Sequence, residues 1–172
     1  MEIVIAKHSG FCVGVKRAVD TAEKLGKDGV YVLGEIIHND EVVRSIEKRG
    51  VKTVNSVDEV PDGATLIIRS HGVGKDVYAA LEKKNVKIVD CTCGFVAKIH
   101  SIVEKYNSLG YSIVIVGEKS HPEVAGTNGW SENKAVIVGD ENDLEKVYSL
   151  EKVCLVSQTT YSNEKFNKIL SI

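Results

Sequence analysis

Seven short apolar runs rich in β-branched residues, at 3–6, 30–33, 65–68, 86–89, 112–116, 135–138 and 153–156, constrain this chain more than any other feature. A polar or glycine-containing turn follows each run, and helix-like spacing fills residues 16–25, 41–49, 77–84, 95–109, 143–150 and 163–170. Within 95–109, Val96, Ile99, Val103 and Tyr106 recur every three to four positions, the spacing of one helix face. Continuously apolar strands suit a sheet covered on both faces. Their alternation with helices predicts an α/β fold with mainly parallel sheet. Seven strands can form one sheet or two smaller ones of three or four, and the long helix after Cys93 is the natural seam.

The 172 residues are 43% hydrophobic and 27% charged, ordinary globular usage that excludes disorder and low complexity. A chain of this length buries roughly 70% of its unfolded surface, enough for a core without disulfide staples. Lys and Arg number 22 against 24 Asp and Glu, a net charge of −2, which excludes a broadly basic nucleic-acid binder. No run reaches the roughly 18 apolar residues of a membrane span. Residues 1–6 are too short and too acidic for a secretory signal. A cytoplasmic protein with neither membrane nor nucleic-acid partners is expected. Its four cysteines then read as metal ligands, redox thiols or core residues.

In open α/β sheets ligands bind beyond the carboxyl ends of the strands, and the reactive residue types of this chain collect there. Residues 3–6 run into Lys7-His8-Ser9-Gly10-Phe11-Cys12, and 30–33 into Gly34-Glu35-Ile36-Ile37-His38-Asn39. The run 65–68 leads to Ser70-His71-Gly72, and 86–89 to Asp90-Cys91-Thr92-Cys93. The run 112–116 leads to Ser120-His121-Pro122-Glu123, and 153–156 to Gln158-Thr159-Thr160. Four of the five histidines lie in these loops.

Each residue also has a plain structural reading. Cys12, ahead of a helix, is either a small buried hydrophobe or a thiolate favoured by the helix N-terminus. Cys91 and Cys93 share a face if they continue a strand and diverge in a turn. Cys154 lies inside an apolar run, which favours the core. His38, His71 and His121 suit turns and caps singly; at equivalent strand ends they suit an anion such as a diphosphate or a three-histidine metal site. Glu123 either favours a helix dipole or donates a proton beside His121. His100, within a helical pattern, reads as a plain helix residue, and His8 stays open. Gly72-Val73-Gly74 follows a strand, but Val77 stands where a dinucleotide loop requires its third glycine.

Taken together, His8-Ser9-Gly10-Phe11-Cys12-Val13-Gly14-Val15, Ile37-His38-Asn39, Ser70-His71-Gly72-Val73, Thr92-Cys93, His121-Pro122-Glu123-Val124 with Gly126-Thr127, and Gln158-Thr159-Thr160 follow one order and spacing. That pattern resembles the 4-hydroxy-3-methylbut-2-enyl diphosphate reductase family of the non-mevalonate isoprenoid pathway, over essentially the whole chain. The resemblance implies an oxidoreductase built as a trefoil of three α/β domains around a [4Fe–4S] cluster. Three cysteines hold that cluster and leave one iron open. Residues 1–93 would form the first domain, with the Cys12, His38, His71 and Cys93 loops. Residues 94–172 would form the second, with the His121, Glu123 and Thr159 loops.

By the same resemblance Cys12 and Cys93 are cluster ligands, and Cys91 is not. His38, His71 and His121 hold the diphosphate, Glu123 donates a proton, and Thr159 orients the substrate and relays a proton. The implied partners are an allylic diphosphate substrate and an electron donor such as ferredoxin or flavodoxin. The products would be isopentenyl and dimethylallyl diphosphate. The third cluster cysteine and a Ser-x-Asn diphosphate segment belong to a third domain that residues 1–172 do not contain. Two other readings compete: a catalytically inactive module that binds a diphosphate or metal, and a zinc hydrolase using the three histidines with Glu123 as base. The absence of HExxH-type spacing counts against the last.

Overall fold

A computed structural model describes residues 2–6 and 10–171 of the chain. Among them the elements run α1 (Val13–Leu25), β1 (Val30–Leu33), α2 (Asp40–Glu47), β2 (Val51–Val54), β3 (Thr65–Ile68), α3 (Lys75–Glu82), β4 (Lys87–Asp90) and α4 (Gly94–Ser108). There follow β5 (Ser112–Val116), α5 (Pro122–Gly129), β6 (Val136–Val138), β7 (Val153–Ser157) and α6 (Asn163–Leu170). Short 3-10 turns occupy Val57–Glu59 and Glu141–Lys146. The strands form a four-stranded sheet in the order β2-β1-β3-β4 and a three-stranded sheet in the order β6-β5-β7. Every ladder is parallel, as the apolar, two-sided strands predict.

Alternation along each strand divides the core. In the first sheet Val30, Val32, Val51 and Ile67 face Ala18, Val19 and Ala22 of α1. Leu33, Val54, Leu66 and Ile68 turn to the other side, against Leu81 of α3. In the second sheet Ile113, Ile115, Cys154 and Val156 pack with Val103 of α4 and Val124 of α5. Val114, Val116 and Val138 pack with Leu144 and Ile169 of α6. Cys91 and Cys154 are buried, both inside these clusters.

The structure departs from the sequence expectation in four elements. Residues 3–6 are not a strand; Ile3, Val4 and Ile5 are 73%, 84% and 82% exposed. β-branched residues favour a strand only when a neighbouring ladder accepts them, and neither sheet extends to this run. The expected helix at 143–150 is instead the 3-10 turn Glu141–Lys146. There the Asp143 carboxylate turns back to accept the Gly139 N–H at 2.8 Å, and Asp140 caps the Asn142 N–H. Such side-chain bonds offer the backbone an alternative to a helix. Strand β2 lies where none was expected; Val-Lys-Thr-Val is a short edge strand with few apolar residues. Helix α5 lies outside the periodic stretches, although the helix-dipole reading of Glu123 already put a helix start at Pro122. Its glycines argue against a helix, but Pro122 at the first turn and a His121 cap start it.

Candidate active site

Five strand ends deliver the residues singled out by the sequence. His38 follows β1, His71 follows β3, Cys93 follows β4, His121 follows β5 and Thr159 follows β7. Cys12 arrives separately, as the N-cap of α1. His8 lies outside the described residues.

The three histidines meet. The His38 and His71 rings are 5.8 Å apart between centroids, and His71 and His121 are 5.3 Å apart in an edge-on arrangement. The sheet edges alone do not produce this contact, because His71 and His121 belong to different sheets. A seam of glycines does. A Cβ on Gly129 would lie 2.4 Å from the Gly74 Cα, and one on Gly126 would lie 3.1 Å from the Gly72 carbonyl oxygen. The bare backbone of α5 therefore presses against the loop that carries His71. Trp130 secures the same loop by donating its indole N–H to the Val73 carbonyl at 2.9 Å.

His121 accepts the Glu123 N–H on Nδ1 at 3.2 Å, so its neutral ring carries the proton on Nε2, a donor for an anion. The exposed His38 places Nδ1 3.3 Å from the Glu35 carboxylate. His71 is only partly exposed. Burial, helped by the neighbouring charges of Arg69, His121 and His38, pushes its imidazole down to about 4. Its Nδ1 is buried without a partner.

Glu123 is 2% exposed, yet its carboxylate is fully engaged. Oε1 accepts the Thr159 backbone N–H at 2.6 Å and Oε2 accepts the Thr159 hydroxyl at 2.7 Å. One residue thus holds both oxygens of the acid. Gln158 beside it fixes the loop: its Oε1 accepts the Glu118 N–H at 3.0 Å and its Nε2 donates to the Thr160 hydroxyl at 2.7 Å. Glu123, Thr159 and His121 form one connected group.

Cys12 and Cys93 are free thiols at helix N-caps, and neither side chain caps its helix. Helix N-termini favour thiolates. Cys93 Sγ packs against the first turn of α1, where a Cβ on Gly14 would lie 3.0 Å from it. Its N–H donates to the Ser70 carbonyl at 2.9 Å, next to His71. Two open thiols at adjoining helix starts are a donor set that suits a thiolate-held iron group. Among the described residues, no group of three or more His, Cys, Asp or Glu side chains stands in metal-holding geometry.

Arg69 has no role in the sequence reading. Arg69 donates Nη1 to the Glu35 carbonyl at 3.2 Å, and its Nε is buried without a partner. With His38 and Glu35 it lines a cleft of about 610 Å³ that also reaches Pro122 and Gly126. His71 and His121 are not in that lining. His100 lies in α4, as its helical pattern predicts, and the structure adds that it is 3% exposed and stacked on Trp130 at 5.2 Å, under the His71 loop. Val96, His100 and Val103 are spaced four and three apart, so the helix period would have placed His100 on the apolar face.

Burial pushes His100 down to about 4, with the Asp90 carboxylate pulling the other way. Both buried rings stay neutral in the folded chain, while unfolded histidine takes a proton below about 6.5. Stability should therefore hold above pH 6.5 and fall as the pH drops from 6.5 towards 4. Urea midpoints at half-unit intervals would measure this, with His100→Gln reducing the slope. A flat profile between pH 6.5 and 5 would show that neither ring is held neutral.

The surroundings of these residues match known proteins. The chain is 49% identical over 178 residues to the 4-hydroxy-3-methylbut-2-enyl diphosphate reductase of Caldanaerobacter subterraneus subsp. tengcongensis, covering 100% of this chain and 62% of the relative. The reductase of Alkaliphilus oremlandii is 46% identical over 176 residues, with 100% and 63% covered. A solved (E)-4-hydroxy-3-methyl-but-2-enyl diphosphate reductase, the terminal enzyme of the non-mevalonate pathway, superposes with a TM-score of 0.85 at 41% identity. That match covers 98% of this chain and 62% of the solved one. The Plasmodium falciparum enzyme gives a TM-score of 0.88 at 36% identity, over 94% of this chain and 52% of that one. The chain spans about 62% of the length of the curated relatives first compared. A profile of the LytB protein family matches residues 3–172, and the chain belongs to that family.

Proposed function

We propose that the chain supplies two domains, 1–93 and 94–172, of a trefoil iron–sulfur reductase acting on 4-hydroxy-3-methylbut-2-enyl diphosphate. The observation that carries this reading is the convergence of His38, His71 and His121 beside the Glu123–Thr159 pair. A diphosphate with roughly three negative charges needs several donors. The Nε2–H of His121 and the exposed His38 ring supply two, and the neutral His71 adds a third without the repulsion of another cation. Two of the ligands of a [4Fe–4S] cluster would be Cys12 and Cys93.

A bound iron–sulfur group would supply electrons and a Lewis acid for breaking the allylic C–O bond. The chain's own residues handle the protons. A protonated Glu123 would donate to the Thr159 hydroxyl, which turns its own proton towards the leaving hydroxyl. The bidentate clamp returns when the carboxylate reforms. Overall the substrate gains two electrons and two protons, loses water and yields isopentenyl or dimethylallyl diphosphate. A ferredoxin or flavodoxin is the proposed donor, in a cytoplasmic setting. No helix among the described residues is long and apolar enough to cross a membrane.

Anaerobic reconstitution with iron and sulfide tests the reading. Uptake with broad absorbance near about 400 nm, typical of thiolate-held clusters, supports it. Cys93→Ser should abolish that uptake, whereas Cys91→Ser, a change inside the core, should lower stability and spare the iron. Equal loss of iron in both variants would overturn the ligand assignment. The same histidine cluster also supports a second reading, a diphosphate-binding module without turnover. Calorimetric binding of inorganic pyrophosphate without any iron uptake would support the module. Stoichiometric zinc in place of iron would defeat the cluster assignment.

A further inference from the structure

The backbone around Cys93 is pinned to the first sheet. Cys91 N–H donates to the Ile68 carbonyl and Cys93 N–H to the Ser70 carbonyl, both at 2.9 Å. Thr92 N–H donates to Asp90 Oδ1 at 2.8 Å, and the other Asp90 oxygen accepts the Tyr78 hydroxyl at 2.7 Å. Among the described residues, Cys12 has no comparable anchor. It is exposed, its neighbour Val13 is 87% exposed, and the buried residues of α1 begin only at Ala18. Core packing therefore holds the later turns of α1 firmly, and reaches the turn that presents Cys12 only through the partly buried Val15.

Two contacts tie that first turn to the Cys93 loop. The Arg17 guanidinium donates Nη2 to the Thr92 carbonyl at 2.8 Å. One residue further along the loop, Gly14 meets Cys93: an added Cβ would lie 3.0 Å from Sγ and 3.1 Å from the Cys93 Cβ. A planar, permanently charged guanidinium gives a more directional bond to a carbonyl than an ammonium does. A charge-assisted bond of this kind is also stronger than a neutral one.

We propose that Arg17 is a positioning residue: with Gly14, it sets the span between the Cys12 and Cys93 thiols so that one soft metal centre can take both. The inference rests on the assignment of these two thiols to a common iron group. It adds that the partial core contact of Val15 does not fix their spacing alone, and that the bond to the Thr92 carbonyl completes it.

Anaerobic titration of the full chain with Co(II), followed by thiolate-to-cobalt absorbance, tests it without loading a cluster. In the parent chain the band should weaken in both Cys12→Ser and Cys93→Ser, as expected if one ion binds both thiols. Arg17→Met should then bind Co(II) about tenfold more weakly, with its urea midpoint almost unchanged. Arg17→Lys should recover part of the affinity, and Gly14→Ala should lose it by pressing on Cys93. If Arg17→Met binds as tightly as the parent, the proposal fails while the shared-thiol assignment stands. If the weakening merely follows lost stability and Lys gives no rescue, Arg17 is structural and the proposal fails again. A band unaffected by either single Ser variant would show that the thiols do not share an ion, and the assignment would fall with the proposal.

Discussion

Gly129→Ala is expected to destabilise the chain by about 3 kcal/mol, the upper end of what overpacking usually costs. The added Cβ would lie 2.4 Å from the Gly74 Cα. Backbone stands on both sides of that contact, so no side chain can swing away to relieve it. The two elements must separate, and with them the 5.3 Å contact between His71 and His121. A shift in the urea midpoint measures the first effect, and weaker pyrophosphate binding measures the second. Gly94→Ala is the control, because nothing lies within 4 Å of the position its Cβ would take. A Gly129→Ala midpoint within about 0.5 kcal/mol of the parent, the range of ordinary surface changes, would mean that the seam is not tight.

The second large effect concerns Glu123. Gln at this position keeps an acceptor for the Thr159 N–H, and its amide can donate to the Thr159 hydroxyl. The fold should survive, with a loss of no more than about 1 kcal/mol. What disappears is an acid that can carry a proton to Thr159. In a chimera that joins this chain to the C-terminal portion of the Caldanaerobacter subterraneus relative, reductase turnover with a reduced viologen should fall about 10²- to 10⁴-fold, the usual worth of a general acid. Glu123→Ala should lose turnover and stability together, since it strands the Thr159 N–H that Glu123 accepts at 2.6 Å. Full turnover in the Gln variant would remove Glu123 from the proton path.

Much of the site was legible because strand ends and reactive residues coincide along the sequence. The loops carrying His38, His71, Cys93, His121 and Thr159 follow β1, β3, β4, β5 and β7 as expected. What remained hidden depends on contacts between distant segments. Gly74 against Gly129, and Arg17 against the Thr92 carbonyl, leave no periodic trace. The exposed run at 3–6 misled for the opposite reason: its composition suits a strand, but a strand also needs a neighbour. Helix α5 was obscured because Gly126 and Gly129, poor helix formers, are there for the close approach they permit. The helical pattern placed His100 in α4, but its stacking on Trp130, thirty residues on, leaves no trace in that pattern.

The order of the ladders also carries a consequence for synthesis. The first sheet draws only on residues 30–90 and the second only on 112–157. A chain emerging from the ribosome can therefore finish its first sheet before any strand of the second exists, since units of this kind fold in the order they are made. The His71 loop is then complete in sequence but still lacks Gly126, Gly129 and Trp130, which secure it. The face formed by the three histidines closes only when α5 has been made and docked, so that face takes shape well after the first sheet.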